Sequence, residues 1–174
     1  NNEGVWKFKG NLAHHCVDGV RIWQNTTINH ELEDYDGYYN FNSVFLGAYV
    51  SAYKLIGGYH YGNPIVIHAG TNHKSRVMFI GLNCDGAGIT PYCIQVEGSP
   101  VEGNLPLLIR DCNFINYTKA AVANVGGQEI HKTDIINCNG NFIVTAPGEV
   151  IRAQASNGQA VQITSTGSQS IATF

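Results

Sequence analysis

The chain has 174 residues, enough for one domain or a little more. Only 13% are charged, against roughly 25% in an average soluble domain, and the net charge of −3 gives no electrostatic basis for nucleic-acid binding. No apolar run approaches the ~20 residues that a helical membrane span needs, so no membrane insertion is expected.

Ile and Val together number 31, against 8 Leu and a single Met, and there are 18 Asn and 20 Gly. Helices favour Leu, Ala, Met and Glu. β-Branched residues suit strands, and Gly and Asn suit turns that need positive φ. The composition predicts an all-β protein and excludes a helix bundle, a coiled coil and a disulfide miniprotein. The chain begins Asn1-Asn2-Glu3, with no Met and no signal-like apolar segment, and is expected to be a piece of a longer chain. Five cysteines are an odd number and none form a CxxC pair. Buried reduced thiols are expected, with no structural zinc.

In chain order, the first notable residues are His14-His15-Cys16. Adjacent side chains on a strand point to opposite faces, so this pair is not expected to chelate one ion. Metal and cofactor are both expected to be absent. Trp23-Gln24-Asn25-Thr26-Thr27-Ile28, Asn42-Ser43-Val44-Phe45 and Asn63-Pro64-Ile65-Val66-Ile67 faintly echo a pattern that is clearer downstream. They would give coils of roughly 17 to 21 residues, at the short end for a solenoid.

The segment His30 to Tyr39 is the densest polar-aromatic patch. Its plain reading is a solvated loop. Its chemical reading is sugar contact, because tyrosine faces stack on sugar rings and carboxylates accept from sugar hydroxyls. Paired carboxylates also serve glycosidases as acid and base. This makes Glu33, Asp34 and Asp36 the catalytic candidates and Tyr35, Tyr38 and Tyr39 substrate-binding candidates. A second aromatic stretch, Tyr49 to Tyr61, adds Tyr59 and Tyr61, beside Tyr53 and His60. No GxSxG elbow and no Walker or Rossmann glycine pattern is present.

The second half is periodic. Gly81-Leu82-Asn83-Cys84-Asp85, Ile109-Arg110-Asp111-Cys112-Asn113 and Ile135-Ile136-Asn137-Cys138-Asn139 share one pattern. A second track runs in phase: Cys93-Ile94-Gln95-Val96-Glu97-Gly98 is matched one period later by Ala121-Val122-Ala123-Asn124-Val125-Gly126. Such recurrence predicts a solenoid in which like residues stack on like. Coils are expected over 1–148, irregular in their first half, with a short-strand segment or cap over 149–174. If Ile109 and Cys112 point inward, Leu82, Arg110 and Ile136 form one outward column and Ile80, Leu108 and Asp134 another. That partly aliphatic stripe should be covered by something.

The recurring apolar residue, any residue, Asn and Cys resembles the right-handed parallel β-helix of the pectate-lyase-like superfamily. The resemblance implies a ladder of Asn83, Asp111 and Asn137 at the bends, an inward stack of Cys84, Cys112 and Cys138, and an inward Phe114. Within that superfamily the chain looks most like bacteriophage tailspike and tail-fibre proteins. This resemblance implies a homotrimer joined to the rest of a phage tail on the virion, binding a bacterial surface polysaccharide. A polysaccharide depolymerase and a structural trimerisation or folding module are the alternatives.

Overall fold

The computed structural model describes residues 7–22, 30–47, 53–68, 77–97, 107–124, 134–144, 151–155, 161–165 and 171–173, and the statements below concern these. Every regular element among them is a strand. The first coil is β1 (Lys7–Lys9), β2 (Leu12–His14) and β3 (Asp18–Ile22). The second is β4 (His30–Glu33), β5 (Asp36–Tyr38) and β6 (Asn42–Leu46), and the third β7 (Tyr53–Ile56), β8 (Tyr59–Tyr61) and β9 (Ile65–His68). The fourth is β10 (Val77–Ile80), β11 (Asn83–Asp85) and β12 (Tyr92–Glu97), and the fifth β13 (Leu107–Arg110), β14 (Asn113–Ile115) and β15 (Ala120–Asn124). Then come β16 (Asp134–Cys138), β17 (Gly140–Val144), β18 (Ile151–Ala155), β19 (Val161–Ser165) and β20 (Ile171–Thr173).

All pairings are parallel. They build an 8-stranded sheet A, a 5-stranded sheet B and a 7-stranded sheet C, each full coil giving one strand to each. The protein is therefore an all-β parallel solenoid. The 149–174 segment, expected from the sequence as a short-strand segment or cap, adds β18 and β20 to sheet A and β19 to sheet C.

The first five coils turn from sheet A to sheet B at a residue of positive φ: Gly10, Asp34, Gly57 (followed by Gly58, also positive), Gly81 and Asp111 in succession, and Asn137 takes the same conformation near the end of β16. Only Gly, Asn and Asp adopt this conformation readily, which fixes the composition of the column. The backbone N–H of each bend residue donates to a carbonyl of the next coil: Gly10 to Glu33, Asp34 to Ile56, Gly57 to Ile80, Gly81 to Arg110 and Asp111 to Ile136, at 2.8–3.0 Å. The hydrogen-bond ladder thus continues through the corner.

This column corrects the expected alignment. Ile80 pairs with Arg110, so Gly81, not Asn83, matches Asp111. Asn83 lies in β11 opposite Asn113, and Cys84 lies opposite Phe114. Cys112 and Cys138 do stack, both buried, with the Cys112 N–H 3.4 Å from the Cys138 sulfur. Leu82 is likewise buried instead of outward. In register, Met78, Leu108 and Asp134 form one column of sheet A and Ile80, Arg110 and Ile136 the next; Asp134 is buried, whereas the other five keep some exposure. Asp111 finds its donors in Asn137 Nδ2 at 2.7 Å and Arg110 Nε at 3.3 Å. A ladder of buried Asn does exist, at the other corner: Asn40 Nδ2 donates to Ala13 O and Asn63 Oδ1, and Asn63 Nδ2 donates to Gly37 O, at 3.1–3.3 Å.

The early coils are as regular as the later ones. Along sheet A, Lys7 pairs with Glu31, Glu31 with Lys54 and Lys54 with Met78, and then Met78 with Leu108 and Leu108 with Asp134. The first three coils are therefore almost equal in length, and each is shorter than the two that follow. The echo at Asn42 and Asn63 is a true one, since Val44 pairs with Ile65, but it marks the corner between sheets B and C. Trp23 to Ile28 lie outside the described residues. The in-phase track holds, with Ile94 opposite Val122.

The core is made of stacked rows. Val44, Ile65, Ile94 and Val122 form one row and Leu32, Leu55, Phe79, Ile109 and Ile135 another, all nearly inaccessible. Burying each such side chain contributes ~1.5–3 kcal/mol. The ion pairs on sheet A (Lys7 to Glu31 at 3.0 Å, Lys9 to Glu33 at 2.7 Å) are surface pairs, worth ~0–1 kcal/mol. The rows, not the charges, hold the coils together.

Two glycines test the corner. Gly58 has φ +89, and a Cβ there would run into the backbone carbonyl of Tyr35. At Gly81, φ +68, a Cβ would find nothing nearer than 4.0 Å. Gly81→Ala should cost only the left-handed penalty of ~1–2 kcal/mol, and Gly58→Ala clearly more, about 3 kcal/mol or above. Urea denaturation of the two variants checks the order, and equal losses would refute it.

Candidate functional site

Alternation decides what sheet B shows to solvent. In β2, β5, β8, β11 and β14 the middle residues Ala13, Gly37, His60, Cys84 and Phe114 form one in-register inward column. The flanking residues face outward in two columns. One is Leu12, Asp36, Tyr59, Asn83 and Asn113, and the other is His14, Tyr38, Tyr61, Asp85 and Ile115. Successive rungs are ~4.8 Å apart.

Four of the five candidate tyrosines meet on this face. The ring centroids of Tyr38 and Tyr59 lie 5.9 Å apart, those of Tyr59 and Tyr61 6.1 Å with planes 25° apart, and Tyr39 meets Tyr61 edge-on at 5.2 Å. Tyr39 takes positive φ at the B–C corner and is 46% exposed. Burial and the neighbouring Asp85 charge raise the Tyr59 hydroxyl pKa above its ordinary value. The hydrogen bond with Tyr39 raises that of Tyr61. Tyr35 does not join them. It is buried, its hydroxyl donates to Ser43 O at 3.1 Å, and desolvation pushes its pKa up to about 12. Tyr53 is also in the core, stacked on His30.

The three candidate carboxylates stand on different surfaces. The segment from His30 to Tyr39 is two strands and a corner, not a loop. Glu33 faces outward on sheet A, where hydrogen bonds from Lys9 and Lys7 hold its carboxyl below the ordinary range. That shift opposes service as a general acid. Asp34 is the exposed corner residue. Asp36 is on sheet B and accepts the Tyr59 N–H at 2.8 Å.

Two further polar residues reach the same face. Asp85 accepts the Ala87 N–H at 2.8 Å, Asn116 Nδ2 at 3.0 Å and the Tyr59 hydroxyl at 3.4 Å. Asp36 and Asp85 sit two coils and two residues apart, roughly 12 Å between Cα atoms from strand geometry. Asn83 is exposed, with Asn113 beside it in register. His14 and His15 border the face, and their Nδ1 atoms lie 3.2 Å apart because His15 takes the positive-φ corner. The pair therefore converges, contrary to the strand rule. Among the described residues no group of three or more His, Cys, Asp or Glu is arranged to hold a metal ion.

As members of this face, Asn83, Asp85, Asn113, His14 and His15 escaped the sequence reading. The signal was there in the Tyr-His-Tyr alternation, but locating its neighbours needs the coil length. Tyr49, which opens the second aromatic stretch, lies outside the described residues. Beneath the face, the His60 ring is fully buried and its Nδ1 is 2.6 Å from Ser43 Oγ.

Comparison with protein-family models, curated proteins and solved structures finds no match. The class that the fold defines is the parallel β-solenoid, and the site is an aromatic-polar sheet face upon it.

Burial lowers the His60 pKa to about 4, below the ~6.5 of an unfolded imidazole. The unfolded chain takes up the proton first, so stability falls as pH drops from about 6.5 to about 4, and this contribution levels off below. The full effect is on the order of 3 kcal/mol. His30, also lowered by burial, adds in the same sense. The variant Ser43→Ala/His60→Leu should show a visibly shallower loss in that window in pH-dependent urea melts. An unchanged slope would contradict this placement of His60.

Proposed function

We propose that this chain is part of an elongated fibre of the bacteriophage tailspike and tail-fibre kind, which binds a bacterial surface polysaccharide through sheet B. The observation that carries the reading is the meeting of the exposed Tyr39 and the half-buried Tyr38, Tyr59 and Tyr61 on one outward sheet face, beside Asp36 and Asn83, with the buried Asp85 tied to Tyr59. Aromatic rings offer flat apolar surfaces to sugar rings, and amides and carboxylates accept from or donate to hydroxyls. A stacked solenoid is stiff enough to present such a face with little ordering cost on binding. Binding is favoured over cleavage because the candidate carboxylates are spread over separate surfaces and Asp36 and Asp85 are both already accepting hydrogen bonds.

The oligomer in this proposal is a homotrimer packed through sheet A. Supporting it are Ile56, Ile80 and Ile136 in one outward column and Met78 and Leu108 in the next, all half-buried. Such an aliphatic strip on a solenoid calls for cover.

Two measurements test these proposals. Tyr59→Ala and Tyr61→Ala should each weaken polysaccharide affinity about tenfold or more in affinity electrophoresis, a loss of ~1.4 kcal/mol. Tyr→Phe at the same positions should retain most of it, and equal retention by all four variants would refute the site. Light scattering should return a trimer, and Ile80→Glu/Leu108→Glu a monomer with unchanged circular dichroism. A wild-type monomer at micromolar concentration would refute the assembly.

A further inference from the structure

We propose that the face of sheet B is selective for an uncharged glycan, laid across the coils so that successive sugar rings meet Tyr38, Tyr59 and Tyr61. The inference rests on the sugar-binding reading above and names its substrate class. Every described lysine and arginine is carried by sheet A, by sheet C or by the turn that leads into sheet C. Sheet B and its two outward columns have none among the described residues.

An anionic sugar is held most strongly by an ammonium or a guanidinium partner. Here its carboxylate or sulfate would instead meet Asp36, and further along the face the largely buried Asp85. Both are anchored in the fold, Asp36 by the Tyr59 N–H and Asp85 by Ala87, Asn116 and Tyr59, so neither swings away. A carboxylate has about four lone-pair sites; those of the buried Asp85 are largely taken within the fold, and Asp36, half-buried at the face, is the carboxylate that offers sites to hydroxyl donors. Asn83 and Asn113, in register one above the other, add amides that both donate and accept. The inventory of the face is phenol, amide, carboxylate and ring surface, with the imidazoles of His14 and His15 at its first rung and no ammonium or guanidinium among the described residues, which fits hydroxyls and gives an anion no permanent cation.

The geometry also sets the direction. Tyr38 and Tyr61 lie in one column, Tyr59 beside them in the next, and Asn83 and Asp85 on the following coil. The rungs advance ~4.8 Å along the solenoid axis. A chain of sugars running along that axis meets an aromatic ring and then polar side chains in turn, whereas a chain running along a strand leaves the face at the end of that one short strand.

The test is affinity electrophoresis of the full chain through gels holding neutral polysaccharides (dextran, mannan, galactan) or polyanionic ones (alginate, hyaluronate). The runs are made at about pH 8, above the ordinary imidazole range, and at about 10 mM salt, where the screening length is ~30 Å. The expected result is retardation by at least one neutral polysaccharide, lost in Tyr59→Ala/Tyr61→Ala, and none by the polyanions. Tyrosine-dependent retardation by polyanions would overturn the selectivity while leaving sugar binding intact. Absence of retardation in every gel would overturn the sugar-binding reading, and this inference with it.

Discussion

One repeated hydrogen bond governs this molecule: the N–H of a positive-φ corner residue reaching the carbonyl one coil further on. It occurs at Gly10, Asp34, Gly57, Gly81 and Asp111. Strand pairing alone tolerates slippage, and a slip by one residue would send every inward side chain outward. A corner that pairs only in one register removes that freedom. The stacked Ile, Val and Leu rows then supply the stability, at ~1.5–3 kcal/mol for each buried side chain. The corner's role is register; the rows supply the energy.

The aromatic face follows from the same register. Asp36-Gly37-Tyr38 and Tyr59-His60-Tyr61 alternate in, out and in phase only because Gly37 pairs with His60. Gly37 is small enough to leave room for Ser43 Oγ and Asn63 Oδ1 against the core, and His60 fills the space beneath the tyrosines. The buried asparagines Asn40 and Asn63 tie the opposite corner of the same two coils. Thus the coils that carry the rings are fixed at both ends of sheet B, and the rings stand on a stiff support.

The fold class was legible because its signals are compositional and periodic. Ile and Val excess, Asn and Gly abundance and the in-phase offset from Ile94 to Val122 all survive into the structure. The corner alignment was misread at Asn83, where the shared Asn-Cys pair outweighed the backbone requirement. Gly81 fills the same conformational role as Asp111 and Asn137 without resembling them, and Cys84 falls two positions away from Cys112. The early coils looked irregular for the same reason, since Gly10, Asp34 and Gly57 share a backbone conformation and no side chain. At the site, the tyrosines were visible as a composition but their convergence was not. Tyr38 and Tyr59 stand nearly a whole coil apart in sequence, and only the coil length makes them neighbours. Tyr35 shows the limit of composition, being a tyrosine of the same patch that alternation sends inward.

The register at the corners is most directly tested by residue-resolved amide hydrogen exchange. The account predicts that the amides of Asp34, Gly57, Gly81 and Asp111 exchange as slowly as those of the strands flanking them, because each is a rung of the ladder. Exchange at these four positions at the rate of an unprotected turn, with the flanking strands still protected, would contradict it.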